Sequence, residues 1–422
     1  MDSMRINRRT FVAGAALWTV AAESLARQAA TSNKRPRSII ILWLQGGASQ
    51  LDTFDPHPES PHSSQVRAVA TSAPGIHIAD SFERLPELMR HVALVRSVVS
   101  REGDHERATY YVKTGYRPDP TLVHPSVGAI VCHQLADDVE IPRHVAIFPG
   151  PWPPRGGFLG PQFDAFHVHD PASPVPDVRP FVPRDRLRQR TNELLDVVER
   201  EFARGRPANL HERTQHRRSI EQALRMMDSQ QLAAFDVMQE PLSVRERYGT
   251  SQFGLGCLAA LRLVQVGVRC VEVTLDGWDS HANNAEIQRE RVKELDPAFA
   301  ALIEDLQERD LWQDTIILCA GEFGRTPRIN RLEGRDHWPH GFCVALAGGA
   351  IRGGCAIGES SPDVPEGSEK HWKHVVQPHS IADVHATIFQ ALGIDYRQQI
   401  VTPIGRPIRL CEGEPIRELL AG

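Results

Sequence analysis

Six short apolar runs, separated by helical patterns, constrain the fold of this chain more than any other feature. Each run is rich in β-branched residues and ends in Gly, Asp or a polar turn. The runs are continuously apolar rather than alternating, which is typical of strands that are covered on both faces in a mainly parallel sheet. They occupy residues 38–44, 92–99, 145–148, 270–275, 315–319 and 342–346.

Helical patterns fill the intervals between these runs, at residues 110–114, after Ser126, and at 253–266, 285–309 and 380–392. Because strands and helices alternate, the sequence predicts an α/β fold with a doubly wound, mainly parallel sheet. One segment, residues 184–248, departs from this alternation: it is charge-dense, helical in period and has no strand pattern. We expect it to form a helical insertion packed outside the sheet, with its charges on a solvated face.

The N-terminus has the pattern of a twin-arginine signal peptide. Arg8 and Arg9 are followed by Phe11, an apolar run over 11–22 and small residues at 24 and 26. The apolar run is too short to span a bilayer, and no later run of the required length follows. We therefore predict a signal peptide over residues 1–26, a mature domain over 27–422, a periplasmic or secreted location and no stable membrane span.

The overall charge argues against nucleic acid as a partner. The chain has 48 Lys and Arg against 53 Asp and Glu, a formal net charge of -5 and a pI near 6.4. Its Arg-rich stretches are also interleaved with acidic residues. Such a balance gives no general attraction to polyanions.

Polar clusters follow three of the predicted strands and precede a fourth. In open parallel sheets, ligands bind beyond the carboxyl ends of the strands, so these clusters are expected to meet at one edge. The residues in question are Ser49, Asp52 and Asp55 after the first strand, Asp276, Asp279 and His281 after the fourth, Glu322 and Arg325 after the fifth, and His337 and His340 before the sixth.

Imidazoles and carboxylates at this density suit a divalent metal such as Zn or Mn, which would activate water or polarise an anionic oxygen. Each cluster also has a purely structural interpretation: Asp276-Gly277 is a common turn, Asp279 can cap the next helix, and Asp336 can orient His337. The prediction of a metal site depends on the clusters meeting in space. Which of Asp276 and Asp279 points inward stays open.

Ser49 follows the Gly46-Gly47 pair, which permits a tight turn, and is predicted at or near a helix N-terminus. It is interpreted equally well as a metal-activated nucleophile and as a helix cap. The sequence contains no Gly-x-Ser-x-Gly elbow, P-loop or Gly-x-Gly-x-x-Gly motif. Serine hydrolases of the elbow type, NTPases and dinucleotide enzymes therefore lose their best sequence support.

Several separate motifs, spread over nearly the whole mature chain, resemble the domain of unknown function 1501 family. They are GGASQLDTFDP at 46–56, FDV at 235–237 with EP at 240–241, RERYG at 245–249, GWDSH at 277–281 and GEFGRTP at 321–327. This family consists of exported bacterial proteins whose reaction is unassigned. The resemblance implies a fold similar to the alkaline phosphatase and sulfatase superfamily.

The superfamily resemblance implies a two-metal hydrolase of phosphate or sulfate esters, and this chain departs from that pattern at two positions. Gln45 stands where the first metal-binding Asp is expected, and Glu322-Phe323 occupies the place of an Asp-His pair. Phe cannot coordinate a metal, so at most one full site is expected. The chain also has no Cys-x-Pro-x-Arg sequence, which excludes a formylglycine sulfatase of the cysteine type.

The resulting hypothesis is an exported hydrolase that uses one divalent metal to cleave a small-molecule or polymeric anionic ester. The expected ligands are Asp276 or Asp279, His281, Glu322, and His337 or His340; Ser49 or water attacks, and Arg325 or His105 neutralises the developing charge. The alternative is a catalytically degenerate binding or scaffold protein of the same fold, which Gln45 and Phe323 favour.

Overall fold

The computed structural model of the protein describes residues 38–63, 66–135, 139–204, 216–364 and 374–421. The predicted signal peptide at residues 1–26 lies outside these ranges. None of the described helices combines the length and the apolarity that a bilayer-spanning segment requires.

The described residues form fifteen strands, most of them short. They are β1 Ser38–Leu44, β2 Ala68–Ala70, β3 His77–Ala79, β4 Val92–Val99, β5 His144–Ile147, β6 Phe166–Val168, β7 Cys270–Leu275, β8 Thr315–Ala320, β9 Gly324–Arg325, β10 His337–Trp338, β11 Phe342–Gly348, β12 Cys355–Ile357, β13 His379–Ser380, β14 Gln399–Val401 and β15 Pro407–Arg409.

Eight α-helices are described along the chain, together with several short 3₁₀ segments such as Gln50–Asp52 and Leu85–His91. The α-helices are α1 His105–Thr114, α2 Val127–Gln134, α3 Arg184–Ala203, α4 His216–Asp228, α5 Leu242–Arg247, α6 Gln252–Gln265, α7 Asn284–Glu308 and α8 Ile381–Ala391.

Nine of the strands form one central sheet in the order β12-β4-β11-β8-β1-β7-β5-β6, with β13 paired to β4 outside this path. β1 lies at its centre and pairs in parallel with both β7 and β8. β11 runs antiparallel to its neighbours β4 and β8, whereas the other described pairs in the sheet are parallel. The predicted α/β fold with a mainly parallel sheet is confirmed.

Both faces of the sheet are covered, which explains why its strands are continuously apolar. In β1, Ile40, Leu42 and Leu44 face one apolar core, and Ile39, Ile41 and Trp43 face the other. The first core is closed by α6 and α7, the second by α2 and α8. Burying each of these large side chains contributes about 1.5–3 kcal/mol.

The charge-dense segment contains α3, α4 and α5 and no described strand. Its charges pair with one another: Arg217 of α4 contacts both Asp196 and Glu199 of α3. These pairs are partly exposed, so each contributes little to stability. The segment therefore presents mixed charge and not a patch of one sign.

The fold brings three connections to the carboxyl edge of the sheet. β1, β7 and β8 run parallel in adjacent positions, so the loops that follow them leave the sheet at the same edge. The hairpin of β9 and β10 then pairs His337 with Arg325. α1 begins at His105, shortly after β4 ends.

Candidate metal centre

Three imidazoles meet around the carboxylate of Asp279, and the four residues come from three separate segments. His105 is the first residue of α1, Asp279 and His281 lie between β7 and α7, and His337 belongs to β10. Oδ1 of Asp279 lies 3.2 Å from Nε2 of His281 and 3.2 Å from Nε2 of His337. Oδ2 lies 3.4 Å from Nε2 of His105. We call these four residues the Asp279 cluster.

The three imidazoles are held in the same way, each through its Nδ1 atom. Nδ1 of His105 lies 2.8 Å from Oε1 of Glu322, and Nδ1 of His281 lies 2.8 Å from Oδ1 of Asp336. Nδ1 of His337 lies 2.8 Å from the backbone oxygen of Gly103. Carboxylate and carbonyl oxygens only accept hydrogen bonds, which assigns the proton of each neutral ring to Nδ1. Each ring therefore directs its Nε2 atom toward Asp279: a neutral ring presents a lone pair there, and a protonated ring donates Nε2–H to the carboxylate.

This donor set fits a divalent metal ion. The Nε2 atoms of His281 and His337 are only 3.0 Å apart, so two lone pairs face each other next to a carboxylate. Such a group of acceptors needs a cation, either protons or a metal. One ligand atom each from His105, Asp279 and His337 lies within 4.8 Å of the others. A histidine that donates Nδ1–H to an oxygen while its Nε2 faces the ion is the common arrangement of metal-binding histidines.

The electrostatics of the cluster favour ionised Asp279 and a cation beside it. Burial raises the pKa of Asp279, but hydrogen bonds from His105, His337 and Arg325 outweigh burial and hold this pKa well below its usual range. Hydrogen bonds to Asp279 and Glu322 raise the pKa of His105 to about 9. In the metal-free protein His105 is therefore a positively charged imidazolium at neutral pH. A metal would have to displace the proton on its Nε2 atom.

Arg325 supports Asp279 from the interior of the protein. Its side chain is fully buried and pairs with Oδ1 of Asp279. Nε donates to the backbone oxygen of Gly47 at 3.0 Å, Nη1 donates to that of Arg335 at 3.0 Å, and Nη2 also contacts the oxygen of Gly46. The guanidinium thus holds the loops around the cluster and is enclosed by them.

The predicted Gly46-Gly47 turn allows the loops to approach each other closely. Both residues have positive φ, +112° and +83°, which strongly favours glycine. A Cβ on Gly46 would lie 2.5 Å from the backbone nitrogen of Asp279, and one on Gly47 would lie 2.6 Å from the ring of Phe323. Phe323 packs its ring against His105 and His337, with centroids 5.0 Å and 4.4 Å apart. It forms an apolar wall of the cluster.

Ser49 lies inside the protein and not on the Asp279 cluster. It is fully buried, its hydroxyl donates to Asp52, and its backbone N–H donates to Gln288 at 2.9 Å. It precedes a 3₁₀ turn of three residues and makes no side-chain capping bond. In addition, Asp52 accepts hydrogen bonds from Asn284 at 2.9 Å and from Arg335 at 3.0 Å. We call these five residues the Asp52 network.

Of the predicted metal ligands, the structure brings Asp279, His281 and His337 into direct contact and leaves Asp276 outside. Asp276 is exposed and accepts the N–H of Gly277 at 2.8 Å. Glu322 is fully buried behind His105, where Oε1 also accepts the N–H of Gly46 at 2.9 Å. Among the described residues its Oε2 atom has no hydrogen-bond partner.

Two further residues, His340 and Gln45, stand at positions where the sequence predicts a ligand or the superfamily resemblance implies one. His340 is half-buried beyond β10, where His337 supplies the imidazole that contacts Asp279. The side chain of Gln45 packs against Gly150. A Cβ added to Gly150 would lie 1.8 Å from Oε1 of Gln45. Its backbone pairs with Leu275 and Trp278.

His105 was predicted to neutralise developing charge; in the structure its Nε2 atom lies 3.4 Å from Oδ2 of Asp279, on the same carboxylate as the other two imidazoles. Asp336 was predicted to orient His337, but in the structure it contacts His281, and the contact of His337 with the backbone oxygen of Gly103 was not predicted. The residue that could have indicated the position of His105 is Asp104. It caps α1 by accepting the N–H of Arg107 at 3.1 Å. When an Asp caps a helix and a His follows it, the imidazole lies in the first turn of that helix.

Comparison with protein families gives one match over nearly the whole described chain. A family described as "Protein of unknown function (DUF1501)" matches residues 36–420. No curated protein matches the chain.

Several solved structures have a similar fold at 10% sequence identity. The lipoteichoic acid synthase LtaP from Listeria monocytogenes has a TM-score of 0.41 over 91% of this chain and 76% of that chain. A protein in the alkaline phosphatase superfamily from Vibrio parahaemolyticus has 0.40 over 93% and 72%. The C-terminal periplasmic domain of EcEptC from Escherichia coli, solved with Zn, has 0.39 over 92% and 93%.

Proposed function

This chain belongs to the DUF1501 family of proteins of unknown function, and we propose that it is a hydrolase of phosphate or sulfate esters with a single divalent metal in the Asp279 cluster. One observation carries the proposal: three imidazoles, each fixed through Nδ1, direct Nε2 at one ionised carboxylate. This arrangement is costly without added protons or a bound cation.

The ligands would be His105, Asp279, His281 and His337, and the nitrogen-rich set suits Zn, with Mn as the second choice. A bound ion would supply Lewis-acid activation of water and of an ester oxygen. Glu322 and Asp336 fix two of the rings, and Arg325 keeps Asp279 ionised and oriented. Each of these three side chains contacts a residue of the Asp279 cluster directly.

Water is the proposed nucleophile. The Ser49 hydroxyl is buried and bonded to Asp52, so a substrate in solvent does not reach it. The side chains of Asp279 and His281, in contrast, are 43% and 47% exposed. Substrate and water therefore approach from the side of the cluster that these two residues leave open.

A second candidate is a protein that binds an anion at the same centre without turnover. Phe323 favours it, because its ring packs against His105 and His337 at the place where the superfamily resemblance implies a metal-binding His. A second metal that would share the charge of the transition state therefore lacks this ligand.

Metal analysis and a substrate screen test the proposal. The full chain, produced with zinc and manganese in the medium, is expected to retain close to one equivalent of metal; less than ~0.1 equivalent contradicts it. The loaded protein is then assayed with chromogenic phosphomonoesters, phosphodiesters and sulfate esters, beside His281→Ala. Turnover that disappears in His281→Ala supports the hydrolase, and bound metal without any turnover supports the binding protein. Location is tested separately: export by the twin-arginine route stays a prediction from residues 1–26.

A further inference from the structure

A cavity of 270 Å³ lies along α1, between this helix and the segment that contains Trp152. We call it the α1 pocket and define it by Thr109, Tyr110, Lys113, His124 and Trp152 in its wall. Its volume lies just below the usual range for sites that hold whole drug-sized molecules, about 300–1,000 Å³. It therefore suits one ring-sized group.

The α1 pocket starts one helical turn from the Asp279 cluster. His105, Thr109 and Lys113 are spaced by four residues in the same helix, so they lie on one face. At 1.5 Å per residue, Thr109 is about 6 Å along the helix from His105. A group joined to an anion at the cluster would reach the pocket directly.

Two polar atoms in the pocket wall lack partners. Thr109 is 1% exposed and His124 is 7% exposed, and neither the Thr109 hydroxyl nor Nδ1 of His124 has a hydrogen-bond partner among the described residues. Burial lowers the pKa of His124, so the ring is neutral at neutral pH. Buried polar groups are almost always hydrogen-bonded, and both atoms are closed to solvent, so a polar occupant would satisfy them after a small shift of the pocket wall.

The rest of the wall favours an uncharged occupant. Trp152, Pro153 and Pro154 line it beside Tyr110, and they supply flat apolar surface. The buried cation Lys113 is already neutralised, since Nζ donates to Glu272 at 2.7 Å and to the backbone oxygen of Trp152 at 2.9 Å. The exposed side chains of Glu106 and Arg155 add one charge of each sign to the lining. The pocket thus offers apolar faces and hydrogen-bonding groups without net charge, a combination that matches a hydroxylated ring.

We propose that the α1 pocket binds the alcohol half of the ester as a hydroxylated ring of the sugar type, while its phosphate or sulfate group lies at the Asp279 cluster. This inference rests on the proposed function. In the hydrolysis, water forms the new bond to phosphorus or sulfur, the bond from that atom to the ester oxygen of the alcohol breaks, and this oxygen receives a proton from the water. The ring leaves as a neutral alcohol.

The test compares ring-bearing and ringless esters. Metal-loaded full chain is assayed with a panel of hexose 6-phosphates and 6-sulfates and with ethyl phosphate and ethyl sulfate. The best hexose ester is expected to exceed the ethyl ester at least tenfold in kcat/KM. Thr109→Val, which keeps the shape and removes the hydroxyl, is expected to reduce this preference about tenfold through a lower kcat/KM for the hexose ester. Thr250→Val, at an exposed threonine outside the pocket, is the control.

A binding measurement distinguishes ring binding in the α1 pocket from ester hydrolysis at the Asp279 cluster. The free hexoses are titrated into the same proteins by isothermal titration calorimetry. Binding that depends on Thr109 without hydrolysis of any ester supports the α1 pocket and refutes the hydrolase. Equal kcat/KM for hexose and ethyl esters, or a preference that Thr109→Val leaves intact, overturns the pocket assignment even when hydrolysis is real. The absence of both hexose binding and hexose preference overturns it as well.

Discussion

At the scale of single residues, Asp279 and Asp276 provide the sharpest contrast in the molecule. Both follow β7, and the sequence does not distinguish them. The structure places Asp279 in contact with three imidazoles and leaves Asp276 beside Gly277. Asp279→Asn is expected to weaken metal binding more than about 100-fold, beyond the loss typical of an orienting group. Asp276→Asn is expected to leave the affinity unchanged. Isothermal titration with Zn measures both, and equal affinities would place the metal elsewhere.

A substitution of Asp336 tests whether an orienting carboxylate contributes to metal affinity without contributing to folding stability. It is 57% exposed and contacts Nδ1 of His281 at 2.8 Å. Exposed pairs contribute about 0–1 kcal/mol to folding, whereas groups that orient metal-binding histidines change metal affinity by about 10–100-fold. Asp336→Asn should therefore keep the urea midpoint of the metal-free protein and weaken Zn binding. A lowered midpoint with unchanged affinity would show that Asp336 serves the fold alone.

The predictable part of the site followed from the order of strands and polar residues. Asp279, His281 and His337 were among the expected ligands because they adjoin strands that end at one edge. The role of His105 was not predictable in the same way, since its helix was placed at 110–114 and begins at His105. The first turn of α1 is polar and exposed, so the apolar period gives no indication of it. The Nδ1 partners depend on tertiary contacts that no local pattern encodes.

At the scale of elements, all six predicted strands are present with ends within one or two residues. Their continuous apolarity comes from burial on both faces, which is a strong constraint on local sequence. β6 and β12 were missed because three-residue edge strands carry too few apolar positions for a pattern. The long α7 was expected at 285–309 and spans Asn284–Glu308 although it contains Pro297.

The Asp52 network joins three elements beneath the metal centre. Through Asp52 it links the 3₁₀ turn after β1 to Asn284 of α7 and to Arg335 before β10. Asp52→Ala should cost about 3–5 kcal/mol of unfolding free energy, because Arg335 stays buried without its carboxylate. Ser49→Ala should cost only about 1 kcal/mol, the contribution of one hydrogen bond. Urea unfolding measures both.

Ser49→Ala also decides between a structural and a nucleophilic serine. Because water is the proposed nucleophile, the variant should keep most of its turnover once metal-loaded. Loss of turnover with unchanged stability and unchanged metal content would restore Ser49 as the nucleophile, despite its burial.

At the scale of the whole molecule, two buried histidines make stability depend on pH. His144 and His385 are almost fully buried, and burial lowers the pKa of each to about 4 from 6.5. The unfolded chain therefore binds more protons than the folded protein between pH 6.5 and 4, so stability falls as the pH is lowered through this window. Each histidine accounts for about 3 kcal/mol of this loss.

Replacing one of these histidines measures its contribution to the acid-induced loss of stability. Urea unfolding of metal-free protein at pH 7 and at pH 4.5 should show a smaller acid-induced loss in His385→Leu than in the unmodified chain. His77→Leu, at an exposed histidine, should retain the full loss. An identical pH dependence in all three proteins would mean that His385 is protonated within the folded state.

Metal binding is expected to stabilise the whole domain, because its ligands come from segments that are far apart in the chain. His105 belongs to α1, Asp279 and His281 follow β7, and His337 lies in the β9–β10 hairpin. An ion held by all three segments binds the folded chain and not the unfolded one, which adds about 4 kcal/mol at a free concentration 1,000-fold above Kd. Thermal unfolding with Zn, and again after a chelator, should therefore show a concentration-dependent rise in Tm that is absent from Asp279→Asn and preserved in Asp276→Asn. A rise of equal size in both variants would mean that the stabilising ion binds outside the Asp279 cluster, and the proposed hydrolase would then lack its metal.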